Sequence, residues 1–96
     1  MNISFDFDGC LNRLEVQDIC KNHIVKGDNV RITTSRWKNP NAGNNNDLLM
    51  IASNLGISNI IYTNHQPKCF FMNGIDIHYD DNPDEEINME CKFILI

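Results

Sequence analysis

Two pairs of aspartates stand out by type and spacing: Asp6 and Asp8, one residue apart and followed by Gly9, and the adjacent Asp80 and Asp81 late in a chain of 96 residues. Carboxylates gathered in one place cannot all stay ionised without a compensating cation. Their hard oxygens suit Mg2+, with water and phosphate oxygens completing its coordination. Thr34 adds a hydroxyl and Lys68 an ammonium, the donor and the positive charge that phosphate oxygens require. Such a set is suited to phosphoryl transfer, where positioning and charge neutralisation carry most of the catalysis. Singly, each signal is weak: an Asp-x-Asp is most often a surface turn and a lysine most often a solvated side chain. The set acquires meaning only if the fold brings its members together.

The elements between these residues are legible. Ile3, Phe5 and Phe7 give the first stretch a strand's composition, which Gly9 ends by freeing the backbone to turn. Val16, Ile19, Cys20, His23 and Ile24 recur at helical spacing, with Lys26-Gly27 as a stop. Val30 to Thr34 is a β-branched second strand that runs into Ser35-Arg36, and Trp37 to Asn45, rich in Asn with a Pro and a Gly, reads as a loop. Leu48, Ile51, Ala52 and Leu55 mark a second helix, opened by Asn46 or Asp47 and closed by Gly56. Then follow a strand at Ile60 to Tyr62, a short helix at Pro67 to Met72 and a strand at Ile75 to Tyr79. An acidic helix at Asp84 to Glu90 and a last strand at Phe93 to Ile96 complete the alternation. This pattern predicts an α/β fold. It is a single Rossmann-like three-layer domain over residues 1–96, with a mostly parallel sheet of about five strands and helices on both faces. The carboxyl ends of such strands share the edge where ligands bind, so Asp6, Asp8, Thr34, Lys68, Asp80 and Asp81 are expected to meet in one cleft.

A formal net charge of −5 opposes indiscriminate attraction to nucleic-acid phosphates, although a bound divalent cation would change the local potential for a nucleotide or a strand end. No apolar run approaches a membrane span and the N-terminus carries no signal-peptide pattern, so no membrane partner and a cytoplasmic setting are expected. Cys10, Cys20, Cys69 and Cys91 lie far apart without a C-x-x-C pair and read as reduced, mostly buried residues. His23, His65 and His78 show no metal spacing and are expected to be structural or exposed, while Asp84-Glu85-Glu86 reads as a helix N-terminal acid cluster.

Asp6-Phe7-Asp8-Gly9-Cys10-Leu11 after the first strand, Thr34-Ser35-Arg36 after the second, Lys68 before the fourth and Asp80-Asp81 after it form an ordered set. That order resembles the four motifs of the haloacid-dehalogenase-like phosphohydrolases, over nearly the whole chain. The resemblance implies Asp6 as the nucleophile that forms an aspartyl-phosphate, and Asp8 as the acid and base that protonates the leaving oxygen and then activates water. Thr34 would bond the transferring phosphoryl group, Lys68 would neutralise it, and Gly9, Ser35 and Arg36 would lie against substrate. Mg2+ would be held by Asp6, the Asp8 backbone carbonyl, Asp80 and Asp81, with Asp80 and Asp81 unranked. Thr33 remains an alternative to Thr34. Cys10 stands where the family usually has threonine, which leaves a thiol near the site that is open to oxidation.

Neither interval between motifs has room for a cap domain, and the Trp37 to Asn45 loop is expected to serve as a partial lid. By the same resemblance, small capless members either oligomerise to cover the site or act on larger substrates. The expected function is therefore a Mg2+-dependent phosphatase of a phosphomonoester, whether a nucleotide, a nucleic-acid end or another phosphorylated small molecule, with a homo-oligomer covering the open site. The alternative is a non-catalytic module on the same fold that binds Mg2+ and phosphate. A phosphoacceptor signalling domain uses similar groups but places its acceptor aspartate after the third strand, where this chain has Thr63-Asn64.

Overall fold

The computed structural model describes residues 1–38 and 44–96; residues 39–43, the middle of the expected lid, lie outside the described residues. Five strands, β1 (Asn2–Phe5), β2 (Asn29–Thr34), β3 (Ile60–Tyr62), β4 (Ile77–Asp80) and β5 (Lys92–Leu95), form one sheet in the order β3-β2-β1-β4-β5. Every pairing is parallel. Two helices join the first three strands, α1 (Leu14–Val25) and α2 (Asn46–Leu55), and single helical turns lie at Lys68–Phe71 and Pro83–Glu86.

Alternation sorts the sheet into two unlike faces. Register sets Ile3 beside Val30, and Phe5 beside both Ile32 and Tyr79. These residues form one buried cluster with Val16 and Cys20 of α1 and Leu48, Ala52 and Leu55 of α2. The Phe5 and Tyr79 rings stack at 4.6 Å. Each fully buried Val, Leu, Ile or Phe side chain of this cluster contributes about 1.5–3 kcal/mol relative to exposure. The opposite face carries Ser4, Arg31, Thr33, His78 and Asp80, and its polar groups pair with one another or with the segment laid over them. Arg31, for example, donates to the carbonyl of Phe71.

The expectation of helices on both faces therefore needs correction, because both long helices pack on the apolar face. The path β1–α1–β2–α2–β3 steps in one direction across the sheet, and right-handed crossovers put successive helices on the same side. The return from β3 to β4 runs back past β2 and β1 over the polar face, carrying the single turn Lys68–Phe71.

Strand ends also differ from the sequence reading. β1 stops at Phe5, and Phe7 belongs to a wide turn in which Asp8 is extended and Gly9 is left-handed at φ +74°. The turn is closed by Leu11 N–H donating to the Asp6 carbonyl at 3.1 Å and Asn12 N–H to that of Phe7 at 3.2 Å. β4 begins at Ile77 and includes Asp80, since Ile75 N–H is taken by a turn to the Met72 carbonyl at 3.0 Å. The acidic helix is one turn, Pro83–Glu86, capped by the Asn82 side chain, which accepts from Asp84 N–H at 3.0 Å. All four cysteines are unpaired. Among the described residues no helix is long and apolar enough to cross a membrane.

Candidate active site

Strand order reverses between β1 and β4, and that switch point is where a doubly wound sheet opens a crevice beyond its carboxyl edge. Asp6 follows β1 there and Asp80 ends β4 beside it, with Asp6 N–H donating to the Tyr79 carbonyl at 2.9 Å. Lys68 comes in from the segment over the polar face. Its ammonium donates to Asp6 Oδ1 at 2.7 Å and to Asp80 Oδ2 at 2.7 Å, and all three side chains are buried. Asp81 completes the group: ligand oxygens of Asp6, Asp80 and Asp81 lie within 4.8 Å of one another.

Gly9 makes room for this arrangement. A Cβ on Gly9 would sit 2.1 Å from Asp81 Oδ2, and its φ of +74° disfavours any side chain. The Asp-x-Asp-Gly spacing thus sets the turn that lets the Asp81 carboxylate lie against the backbone.

Behind Asp80 runs a chain of buried polar contacts. His78 Nε2 lies 2.8 Å from Asp80 Oδ2, His78 Nδ1 lies 2.9 Å from Ser4 Oγ, and Ser4 Oγ lies 2.7 Å from Thr33 Oγ1. An ionised Asp80 can only accept, so His78 donates from Nε2–H, accepts at Nδ1 from the Ser4 hydroxyl, and Ser4 accepts from Thr33. Burial lowers the His78 pKa against the pull of Asp80, which keeps this imidazole neutral. Such a partner behind a carboxylate fixes its orientation.

Three carboxylates face one ammonium, and the electrostatics follow. Burial pushes Asp6 up to about 8, with Lys68 opposing and Asp80 adding to the rise. Burial would also raise Asp80, but bonds from His78 and Lys68 outweigh it and hold that carboxyl at about 2. Burial would lower Lys68, but Asp6 and Asp80 hold its ammonium charged. In this arrangement Asp6 keeps a proton near neutral pH unless a further cation enters. The all-oxygen donor set of Asp6, Asp80 and Asp81, one charge short of compensation even with Asp6 protonated, fits a hard divalent ion.

The remaining predicted residues take other positions. Asp8 is exposed and lies outside the carboxylate group; Arg36 donates to it from Nε at 3.0 Å and from Nη2 at 2.7 Å. The same guanidinium donates to Asp47 at the start of α2, at 2.7 and 3.0 Å, and its Cζ stands 5.0 Å from the centroid of the Phe7 ring. Thr34 is buried at the end of β2, where its hydroxyl accepts from Arg36 N–H at 3.3 Å, whereas Thr33 is committed to Ser4. Ser35 is half-buried and its carbonyl accepts from His65 N–H at 2.8 Å. Cys10 is fully buried, its thiol donates to the Tyr79 carbonyl at 3.7 Å, and burial drives its pKa upward, which opposes the thiolate that oxidation needs. The base of the expected lid is held by Asn45 Nδ2 donating to the carbonyls of Trp37 and Lys38.

His78, expected to be structural or exposed, is fully buried against Asp80, and Ser4, which the sequence did not single out, lies beside it. A signal was present: His78 stands two residues before Asp80 in one strand, so the two share a face. No family model, curated protein or solved structure matches this chain.

Proposed function

We propose that the chain is a Mg2+-dependent phosphohydrolase that hydrolyses a phosphomonoester through a covalent intermediate on Asp6. One observation carries this reading: Lys68 joins Asp6 to Asp80 at the strand-order switch, with Asp81 beside them. The order of motifs that resembles the haloacid-dehalogenase-like phosphohydrolases supports it as well.

Asp6, Asp80 and Asp81 would hold Mg2+, with the Asp8 backbone carbonyl as the further ligand that the resemblance implies. Bound there, the ion would supply positive charge for the phosphoryl oxygens. A freely ionised Asp6 carboxylate then attacks phosphorus as the bond to the leaving oxygen breaks. Lys68 balances charge on the phosphoryl group, the Thr34 hydroxyl bonds one of its oxygens, and Asp8 gives a proton to the leaving alkoxide so that it departs as an alcohol. Water then attacks phosphorus, Asp8 takes back a proton, and inorganic phosphate leaves with Asp6 restored. For this Asp8 must leave Arg36, and Arg36 has Asp47 as its other partner.

Phosphate release from nucleotides, phosphorylated oligonucleotides and small phosphate esters, with and without Mg2+, tests the reading against Asp6→Asn. The expected result is turnover that requires Mg2+ and disappears in the variant. Wild type as inert as Asp6→Asn on every compound, while still binding Mg2+, would favour a module that binds Mg2+ and phosphate without turnover. The grip of Arg36 on Asp8 is the observation on that side.

A further inference from the structure

A cleft of about 310 Å³ opens between the single turns at Lys68–Phe71 and Pro83–Glu86. Its size lies at the lower end of the range for small-molecule sites, about 300–1,000 Å³. Pro67, Phe70 and Ile87 give it apolar walls, and Asp84, Glu85 and Asn88 give it hydrogen-bonding groups. Phe70 and Ile87, 70% and 65% exposed, face the same cleft and form an apolar patch rimmed by polar groups, the kind that marks a binding groove. Trp37, also exposed, extends the aromatic surface, its ring centroid 6.0 Å from that of His65 in the cleft wall.

Both walls are tied to the candidate active site. Glu85 Oε2 accepts from the backbone N–H of Lys68 at 3.1 Å, so the cleft lies behind the segment that delivers the ammonium. On the other side, N–H groups of His65 and Asn64 donate to the carbonyls of Ser35 and Arg36 at 2.8 and 3.3 Å.

Backbone strain is concentrated here too. Asn64, His65 and Asn88 are the non-glycine residues with positive φ among those described, at +54°, +64° and +61°. His65 and Asn88 line the cleft and Asn64 precedes it. Asn and His tolerate this region better than most residues, yet such conformations gather where a chain is held in shape for a ligand.

We infer that this cleft receives the planar, amino-bearing nucleobase of a phosphomonoester whose phosphate enters the Asp6–Lys68 site. The inference rests on the phosphohydrolase reading above and names its substrate class. Phe70 and Ile87 cover the ring faces, as aromatic and apolar side chains cover bases elsewhere. The Asp84 and Glu85 carboxylates accept from an exocyclic amine, as carboxylates accept from the amine of cytosine. The same carboxylates repel a leaving group that carries further negative charge, so a second phosphate has no place in the cleft.

Two measurements on the full chain test this. The first is binding of cytidine, which has no phosphate, followed by backbone amide shifts. The second is kcat/KM for cytidine monophosphate, uridine monophosphate and glycerol 3-phosphate, in wild type, Phe70→Ala and Ile87→Ser, each checked for an unchanged unfolding temperature. Cytidine is expected to move the amides of Phe70, Ile87 and Asn88. Wild type should prefer cytidine monophosphate to uridine monophosphate, and the preference for it over glycerol phosphate should fall through KM by at least about fivefold in Phe70→Ala, as expected for the ~1–3 kcal/mol of one base-stacking contact, and should fall in Ile87→Ser as well. A 5′-phosphorylated trinucleotide, whose leaving group carries further phosphates, should be hydrolysed with a lower kcat/KM than cytidine monophosphate; an equal or higher value overturns the free-nucleotide assignment. Cytidine that leaves those amides unmoved, or a preference that survives both variants, overturns the inference whatever the turnover. Cytidine seated in the cleft of a chain that hydrolyses nothing sinks the phosphohydrolase reading and leaves the base site standing.

Discussion

Lys68 donates to two buried carboxylates from one ammonium, so its removal leaves Asp6 and Asp80 facing each other without compensation. Lys68→Met is expected to abolish phosphate release and to cost about 3–5 kcal/mol of stability in urea unfolding at pH 8. Asp6 itself gives a signed pH dependence. Its pKa rises from 3.8 to about 8 on folding, so between those values the folded chain keeps a proton that the unfolded chain has released. Wild-type stability without divalent cations should therefore fall as pH rises through that window, relative to Asp6→Asn, which cannot ionise. A difference between the two that stays flat from pH 4 to pH 8 in EDTA would contradict this. At Gly9, a Cβ would meet the Asp81 carboxylate at 2.1 Å with the backbone at φ +74°. Gly9→Ala should cost about 1–3 kcal/mol and weaken Mg2+ binding measured by calorimetry. The convergence of Asp6, Lys68, Asp80 and Asp81 could be anticipated from their order along alternating strands. The pairing of Arg36 with Asp8 and Asp47 could not, because it depends on how α2 is placed against the turn after β1.

At the scale of elements, the two faces of the sheet carry different burdens. The apolar face is covered by α1 and α2, and Ile32 at its centre is fully buried. Ile32→Ala is expected to cost about 2–5 kcal/mol, whereas Asp47→Ala, which cuts an exposed ion pair between α2 and Arg36, should cost under about 1 kcal/mol. Thermal unfolding of both variants checks the contrast. The strands and the two helices were legible because their apolar residues recur at periods of two and of three to four. The polar face was not. Ser4, Thr33 and His78 alternate as a strand requires, but nothing in their types announces that they hydrogen-bond one another beneath Asp80. The one-turn segments were also overextended by sequence reasoning: an acidic run from Asp84 to Glu90 favours a helix, yet the helical turn ends at Glu86.

For the molecule as a whole, the proposed cation binding is coupled to folding. An ion that Asp6, Asp80 and Asp81 hold only when β1 and β4 are paired stabilises the fold by about 2.7 kcal/mol at a hundred times its Kd. The unfolding temperature should rise with Mg2+, fall back with EDTA, and respond much less in Asp81→Asn. That pairing also has a temporal side. β1 sits at the centre of the sheet between β2, which follows it closely in sequence, and β4, whose Ile77 pairs with Ile3. Loop-closure entropy makes the near partner easy to find and the distant one slow. During synthesis the first half of the sheet can form around Asp6 while Lys68, Asp80 and Asp81 are still to be made. A nascent chain thus carries the Asp6 carboxylate long before the Lys68 ammonium that offsets its charge, and the three-carboxylate group is complete only when β4 closes the sheet.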